Sequence, residues 1–492
     1  MEKIIKSFIN TKLNISIQKF IGDGNTLKVK VTKGFYWLFL LQLLNKGLGF
    51  IKTIILARLL APEHFGLIGI ASIVISFLEL FSETGFRSAL IQNQSIDENY
   101  LNTGWTVSII RGLILFLILF LSAPLVSDFF EVAESKLIIQ AMSFNFIIKS
   151  FRNIGIILFS KNLNFKKSFI FEIISIIPNI GITILLAFIL RNEWAIVWGT
   201  LITTMITTTA SFMIHPYKPK FRLDLEKAKQ LFRYGKWILL TGIVIFLSKE
   251  GDKIVITKIL GVTSLGIYIM ANRIAEYIAT FNKIIQKVMF PAYSTIQMDV
   301  LRLKKIYLQI LSIIALICIP FVGGLIILAP SFVELLLGKK WILAVTPIQI
   351  ISIAILIKIF TDSSASLFNA FGKPKITFLM VTSRVIILFL VIVPLTNQYN
   401  ITGTAIGLLI STASTTIIWF IYLYKIFTVK INELKFIIYP LFNTLIMVLG
   451  IYYLTSIIAI SNLFIFFISV LIGGFIYVLL SIIMYKLQII KI

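Results

Sequence analysis

Apolar runs of about 20 residues recur at short intervals from Gly34 almost to the C-terminus, and an α-helix needs about that length to cross a hydrocarbon core of about 30 Å. No water is present there to satisfy the backbone, so each run must close its own hydrogen bonds as a helix. With 58% hydrophobic and only 14% charged residues over 492 positions, little is left for a soluble domain. The chain reads as an all-α integral membrane protein.

Fourteen spans are expected, at 34–58, 65–90, 104–127, 137–160, 168–190, 194–215, 236–260, 264–290, 306–330, 342–370, 376–396, 401–424, 436–458 and 462–485. Lys and Arg crowd the loops on one side: Lys161, Lys166 and Lys167, the run from Lys218 to Lys236, Arg302, Lys304 and Lys305, Lys373 and Lys375, Lys425, Lys430 and Lys435. Loops on the other side, such as "TNQYN" and "AISN", carry none. By the positive-inside rule both termini face the cytoplasm. The formal charge of +25 then belongs to loops facing anionic lipid rather than to a nucleic-acid surface. Residues 1–26 space their apolar positions helically among lysines and suit either an interfacial amphipathic helix or a basic tail; lysines interrupt the apolar run too often for a secretory signal.

The chain also repeats itself. Shifted by 200 positions, "ILARLLAPEHFGLIGIA" overlies "VITKILGVTSLGIYIMA", so that Arg58 meets Lys258 and Gly66 meets Gly266. Farther on Ala123-Pro124 meets Ala329-Pro330, and Leu158-Phe159 meets Leu367-Phe368. Six spans lie in each repeat, which makes the halves parallel repeats about an axis along the membrane normal. The expected organisation is a cytoplasmic segment over 1–33, a first six-helix lobe over 34–215, a cytoplasmic basic linker over 216–235, a second six-helix lobe over 236–425 and a C-terminal helix pair over 436–485, around a central cavity.

Charges inside spans cost about 2.5–3.5 kcal/mol each on insertion scales and turn toward protein or water. They concentrate in the first, second, seventh and eighth spans: Lys46 and Lys52; Glu79, Glu83 and Arg87; Lys249, Glu250, Asp252 and Lys253; Arg273, Glu276, Lys283 and Lys287. Residues 436–485 have none. Glu79, Glu83 and Arg87 are spaced by four along one helix face, and Lys358 and Asp362 form another such pair, suited to an ion pair. Lys46 and Lys52 have no acid three or four residues away and point about 120° apart on an ideal helix. Snorkelling toward a span end is one reading of them; lining a hydrated cavity is the other. Asp252 stands in the second repeat where Lys52 stands in the first, so a gating pair between the two is expected. Surplus positive charge suits an anion such as a phosphate or pyrophosphate head.

These residues resemble the oligosaccharide flippases of the multidrug/oligosaccharidyl-lipid/polysaccharide exporter superfamily, in particular the polysaccharide transporter branch. The stretch that carries the likeness is "KGFYWLFLLQLLNKGLGFIKTIILARLLAPEHFGLIGIA", followed by "SETGFRSALIQ" and "LFRYGKW". The related lipid II flippases are similar in having two basic residues six apart in the first helix and an arginine after a small polar residue in the eighth, matched here by Lys46, Lys52 and Arg273 in "NKGLGFIK" and "ANR". The resemblance implies that these line a cationic site for a lipid diphosphate, with Lys rather than Arg at the first two positions; Lys283 and Lys287, close to the face of the eighth span that carries Arg273, are expected to join it by their charge. It further implies export of an undecaprenyl-diphosphate-linked repeat unit by alternating access, in a bacterial inner membrane, with membrane lipids and the polysaccharide polymerase and export machinery as partners.

No cofactor is expected: "NAFGKPK" lacks the first glycine of a phosphate loop, His64 and His215 stand alone, and Cys318 is the single cysteine. The membrane potential, or proton or sodium exchange through Glu79, Glu83, Glu276 or Asp362 with Asp252 and Arg87 as gating candidates, are the open energy sources. A cation-coupled drug exporter of the same superfamily is the alternative transporter and fits a positive cavity badly; a membrane glycan polymerase would need longer outward loops.

Overall fold

The computed structural model describes residues 27–82, 98–162, 164–224, 235–296, 298–458 and 460–486, and all regular structure among them is helical. The helices are α1 (Leu27–Leu59), α2 (Pro62–Ser82), α3 (Glu98–Phe130), α4 (Ser135–Ser150), α5 (Ile157–Lys161), α6 (Phe165–Leu190), α7 (Trp194–Ile214), α8 (Gly235–Thr295), α9 (Val300–Phe332), α10 (Val345–Ala370), α11 (Pro374–Phe427), α12 (Ile438–Ile457) and α13 (Leu463–Lys486).

Eleven of the described helices or helix runs are long and apolar enough to span a membrane, or twelve when the α4/α5 pair, bent by 72°, counts as one. The fourteen spans expected from sequence divide two of these. α8 has 61 residues and α11 has 54; at 1.5 Å per residue either would run well past a bilayer if straight. Each contains one non-helical residue, Gly261 (φ 79°) and Asn400 (φ 54°), at the boundary where the sequence places a loop. Left-handed φ is open to glycine and is tolerated by asparagine, which explains the residue type at both breaks.

The described helices expose many large apolar side chains, as lipid-facing helices do: Leu471, Phe475 and Phe464 of α13 are 68–74% exposed. The final pair packs on α9 through small and polar contacts suited to lipid, where hydrophobic burial drives little association. Thr444 sits against Gly323 and Tyr477 Oη donates to the Leu316 carbonyl at 2.9 Å, while within the pair Asn443 Nδ2 donates to Ser481 Oγ at 3.3 Å.

The chain falls into two compact units: residues 1–53, 78–123 and 137–239 form one, and 54–77, 124–136 and 240–492 the other. The second unit therefore takes in two stretches of the first sequence repeat. In the first unit the chain leaves α7 as an extended strap pinned across the start of α3. Asn102, Thr103 and Thr106 lie on one face of α3, and their side-chain oxygens accept the amide N–H groups of Lys220, Asp224 and Arg222 at 2.7, 3.2 and 3.0 Å. Those amides alternate along the strap, as an extended chain alternates its groups. Tyr217 Oη donates to Asn102 Oδ1 at 2.6 Å, and Phe221 lies against Trp105 with ring centroids 4.8 Å apart. The strap is the described part of the expected basic linker; residues 225–234 lie outside the described residues.

Candidate functional site

In the first unit α1 carries Lys46 and Lys52, both half-buried. Lys52 Nζ donates to Asn179 Oδ1 at 2.7 Å and to Thr183 Oγ1 at 3.1 Å, both on α6. Asn179 and Thr183 are four apart and so present neighbouring acceptors on one face, and the Thr183 hydroxyl also donates to the Asn179 carbonyl. These amide and hydroxyl acceptors orient the ammonium without neutralising it. Glu79 of α2 pairs with Lys149 of α4 at 3.0 Å, both well exposed. Its sequence companions Glu83 and Arg87 lie outside the described residues.

The second unit gathers a larger set. On the second arm of α8, Arg273, Glu276 and Lys283 are exposed, while Ile274, Ala275, Ile278 and Asn282 between them are buried. Their spacing of three and seven puts the charges on one stripe of the helix. The stripe lies close to α10, where Lys358 is within electrostatic reach of Glu276, Lys283, Asp362 and Arg384. Asp362 accepts from Arg384 Nη2 of α11 at 3.1 Å; the guanidinium is 4% exposed and the carboxylate 40%. Arg384 Nε makes no hydrogen bond within the chain. The Lys287 side chain is outside the described ones.

Polar zippers hold α8 and α10 in register beneath these charges. Gln286 Nε2 donates to the Asp362 carbonyl at 3.0 Å, Ser366 Oγ donates to Gln286 Oε1, and Asn282 Nδ2 donates to the Ile359 carbonyl at 3.4 Å. Among the described residues the cluster thus holds four cations, Arg273, Lys283, Lys358 and Arg384, against three carboxylates, Glu276, Asp362 and the buried Asp252, which is within electrostatic reach of Lys358. A surplus of positive charge on membrane-spanning helices favours an anionic guest and disfavours a cationic one.

Asp252, buried at 3% exposure, accepts from Tyr268 Oη at 2.5 Å and from the Lys253 amide at 2.9 Å. Lys253 in turn pairs with Glu250 at 2.7 Å. Sequence spacing suggests Lys358 for Asp362, and the hydrogen-bonded partner is Arg384 instead, 22 residues away on the next helix. Sequence reasoning passed over Arg384; its signal was that it stands alone in the apolar run from Ile376 to Ile392. Among the described residues no group of three His, Cys, Asp or Glu side chains is placed to hold a metal.

A family model described as polysaccharide biosynthesis protein matches residues 55–346. A Klebsiella pneumoniae protein known as an uncharacterized membrane protein in the cps region is 28% identical over 462 residues, covering 92% of this chain and 95% of that one. The lipopolysaccharide biosynthesis protein WzxC of Escherichia coli K12 is 24% identical over 356 residues, 72% of each chain. Among solved structures, the lipid II flippase MurJ in an inward closed conformation superposes with a TM-score of 0.76 over 92% of this chain and 99% of that one, at 17% identity. That likeness gives the multi-pass helical fold, and the family match covers more than half of the sequence. The chain belongs to the polysaccharide biosynthesis protein family.

Proposed function

We propose that this protein is a flippase that carries an undecaprenyl-diphosphate-linked oligosaccharide repeat unit from the cytoplasmic to the outer leaflet of a bacterial inner membrane by alternating access. The observation that supports it most is the excess of cations over carboxylates among the described residues clustered around Lys358 on α8, α10 and α11, within helices apolar enough to span the membrane. A diphosphate supplies charge-assisted bonds to such a cluster, and lysines bind it as point charges that release readily. Relatives named for lipopolysaccharide biosynthesis and lipid II flipping fit a saccharide on a lipid carrier. An inside-negative potential favours outward passage of an anionic head by about 2.3 kcal/mol per charge per 100 mV across the full field.

The test is flipping in proteoliposomes with a panel of polyprenyl-diphosphate saccharides. The parent is compared with Lys46→Ala, Lys52→Ala, Arg273→Ala and Lys358→Ala. Folded variants are expected to lose about tenfold or more each, in line with one charge-assisted bond apiece. Parental rates in all four would remove these cations from the substrate path.

A further inference from the structure

The second compact unit joins two stretches of the first repeat to the second repeat through contacts that repeat themselves about the duplication. Gly66 of α2 packs on Val262, where a Cβ would come 1.9 Å from the Val262 carbonyl oxygen; Gly266 packs on Pro62, where a Cβ would come 1.8 Å from the Pro62 oxygen. In the 200-position register Pro62 corresponds to Val262 and Gly66 to Gly266, so each partner plays the other's part.

The cations just before these crossings do the same. Arg58, at the end of α1, donates through Nε to the Leu336 carbonyl at 2.9 Å and through Nη2 to the Leu335 carbonyl. Lys258, its repeat counterpart, donates to the Phe129 carbonyl at 2.9 Å and pairs with Glu131 at 2.6 Å. The register that lays Ala123-Pro124 on Ala329-Pro330 also lays Phe129 on Leu335. Both cations therefore dock on equivalent helix C-termini: Phe129 is in the last turn of α3, and Leu335 and Leu336 are in the π-turn that extends α9. The last carbonyls of a helix lack intrahelical donors and carry the negative end of its dipole, which is what a cation meets well.

The two docks are unequal. On the Arg58 side, Trp341 is fully buried, donates through Nε1 to the Ala57 carbonyl at 2.9 Å and packs edge-on against Phe65 at 5.2 Å, and Lys340 Nζ donates to the Arg58 carbonyl at 2.9 Å. On the Lys258 side, the side chains of Lys258 and Glu131 are 43% and 78% exposed.

We infer that Arg58 and Lys258 are paired clasps that hold the helix ends opposite the basic loops closed, and that the Lys258–Glu131 clasp yields first when that end opens. The inference rests on the transport reading only for the purpose of the opening. Arg58 and Lys258 are both exposed; the physical basis of the difference is that water and salt screen the Lys258–Glu131 ion pair, whereas the Arg58 side is also held by the buried Trp341 indole and its hydrogen bond to the Ala57 carbonyl, which they do not reach.

The test uses Cys318→Ala as background and places a single cysteine at Ala57→Cys or at its repeat counterpart Thr257→Cys; both positions are buried, at 0% and 1% exposure. The rate of labelling by a charged, membrane-impermeant maleimide is read in proteoliposomes, on protein that is monodisperse before reconstitution. Thr257→Cys is expected to label faster than Ala57→Cys. Lys258→Glu and Glu131→Lys should each speed Thr257→Cys labelling about threefold or more, and the two reversals together should bring it part of the way back toward the parental rate, since the pair is restored but the bond to the Phe129 carbonyl is not. High salt should reproduce part of the effect of either reversal. Equal rates at the two reporters, faster labelling at Ala57→Cys, or a double reversal that rescues nothing would overturn the inference. Flipping measured on the same samples separates the two readings. The expected labelling pattern without flipping of any polyprenyl-diphosphate saccharide leaves the clasps standing and removes the substrate; normal flipping with labelling that ignores the charge reversals does the opposite.

Discussion

Asp362 and Arg384 offer the sharpest way to separate a structural ion pair from a substrate site. Removing one partner of a buried pair costs about 3–5 kcal/mol because the other charge is left uncompensated. Here Arg384 is 4% exposed but the Asp362 carboxylate is 40% exposed, so water tempers the loss. Asp362→Asn also keeps an oxygen where Oδ1 accepts from Nη2 at 3.1 Å. Together these bring the expected cost to about 1–3 kcal/mol, or about 1–2 °C in melting temperature per kcal/mol for a long chain. The double variant Asp362→Leu with Arg384→Met replaces both charges by apolar side chains of similar length, and such replacements are commonly near neutral for stability. Its melting temperature should therefore return close to the parent's. Flipping should not return. Arg384 Nε has no partner within the chain, and if the guanidinium supplies one charge-assisted bond to the anionic head, its loss lowers transport by about 10- to 150-fold. Melting is followed in detergent and flipping in proteoliposomes on the same preparations. A double variant that melts and flips like the parent would show the pair to be structural and would remove Arg384 from the site.

Three further outcomes are expected. Gly66→Ala puts a methyl 1.9 Å from the Val262 oxygen, so α2 and α8 must part by about 1.5 Å to reach ordinary contact, at about 1–3 kcal/mol; a lowered melting temperature checks it, with Gly47→Ala, where a Cβ meets nothing within 4 Å, as the unaffected control. Lys52→Met keeps the apolar stem but takes the ammonium from Asn179 and Thr183; flipping should fall while melting moves by no more than a degree or two, and a large melting loss with normal flipping would assign Lys52 to packing. Burial first, and Lys167 second, hold the His215 imidazole below its usual pKa of 6.5, and its Nδ1 accepts the Tyr217 amide at 3.1 Å. A base with a depressed folded pKa contributes its full stability above about pH 6.5 and loses it as pH falls through that value toward the folded pKa. The parent should thus lose more melting temperature than His215→Asn between pH 7.5 and 5.5, and parallel curves would refute the assignment.

The sequence made the helices legible because lipid leaves the backbone no other choice, and it made the duplication legible because equivalent residues keep their types. It also marked both sharp breaks: Gly261 and Asn400 stand where the hydropathy dips, and the chain passes through left-handed φ at each. Partners were much harder to read. Spacing along one helix proposes only neighbours three or four residues away, while the acceptors of Lys52 are 127 and 131 residues distant and Glu79 finds Lys149, 70 residues on. Asp362 shows the same limit from the other side. Lys358 is at the favoured spacing and within electrostatic reach, yet the hydrogen bond goes to Arg384 on the following helix. The strap across α3 was legible only as a basic linker, since its order comes from Asn102, Thr103 and Thr106 more than 100 residues earlier.

Duplication alone would give the two halves equal chemistry, and the contacts show how far they have diverged. In the first unit Lys52 donates to an amide and a hydroxyl oxygen; in the second, Arg384 is held by a carboxylate and Lys358 stands near Glu276, Asp362 and Asp252. An anion that approaches Arg384 or Lys358 meets the repulsion of Asp362 or Glu276 as well as the attraction of the cations. Because like charges beside a site oppose an incoming anion, the second unit should grip an anionic head less tightly than its count of cations suggests. It should also gain more from removal of a carboxylate. Glu276→Gln, which lifts one repulsion while leaving the four cations in place, is therefore expected to tighten binding of a polyprenyl-diphosphate saccharide and slow its release, so that single-turnover binding improves while steady flipping falls. A variant that binds more weakly would mean that Glu276 contacts the sugar or holds a cation in position, and the electrostatic reading of the cluster would have to be abandoned.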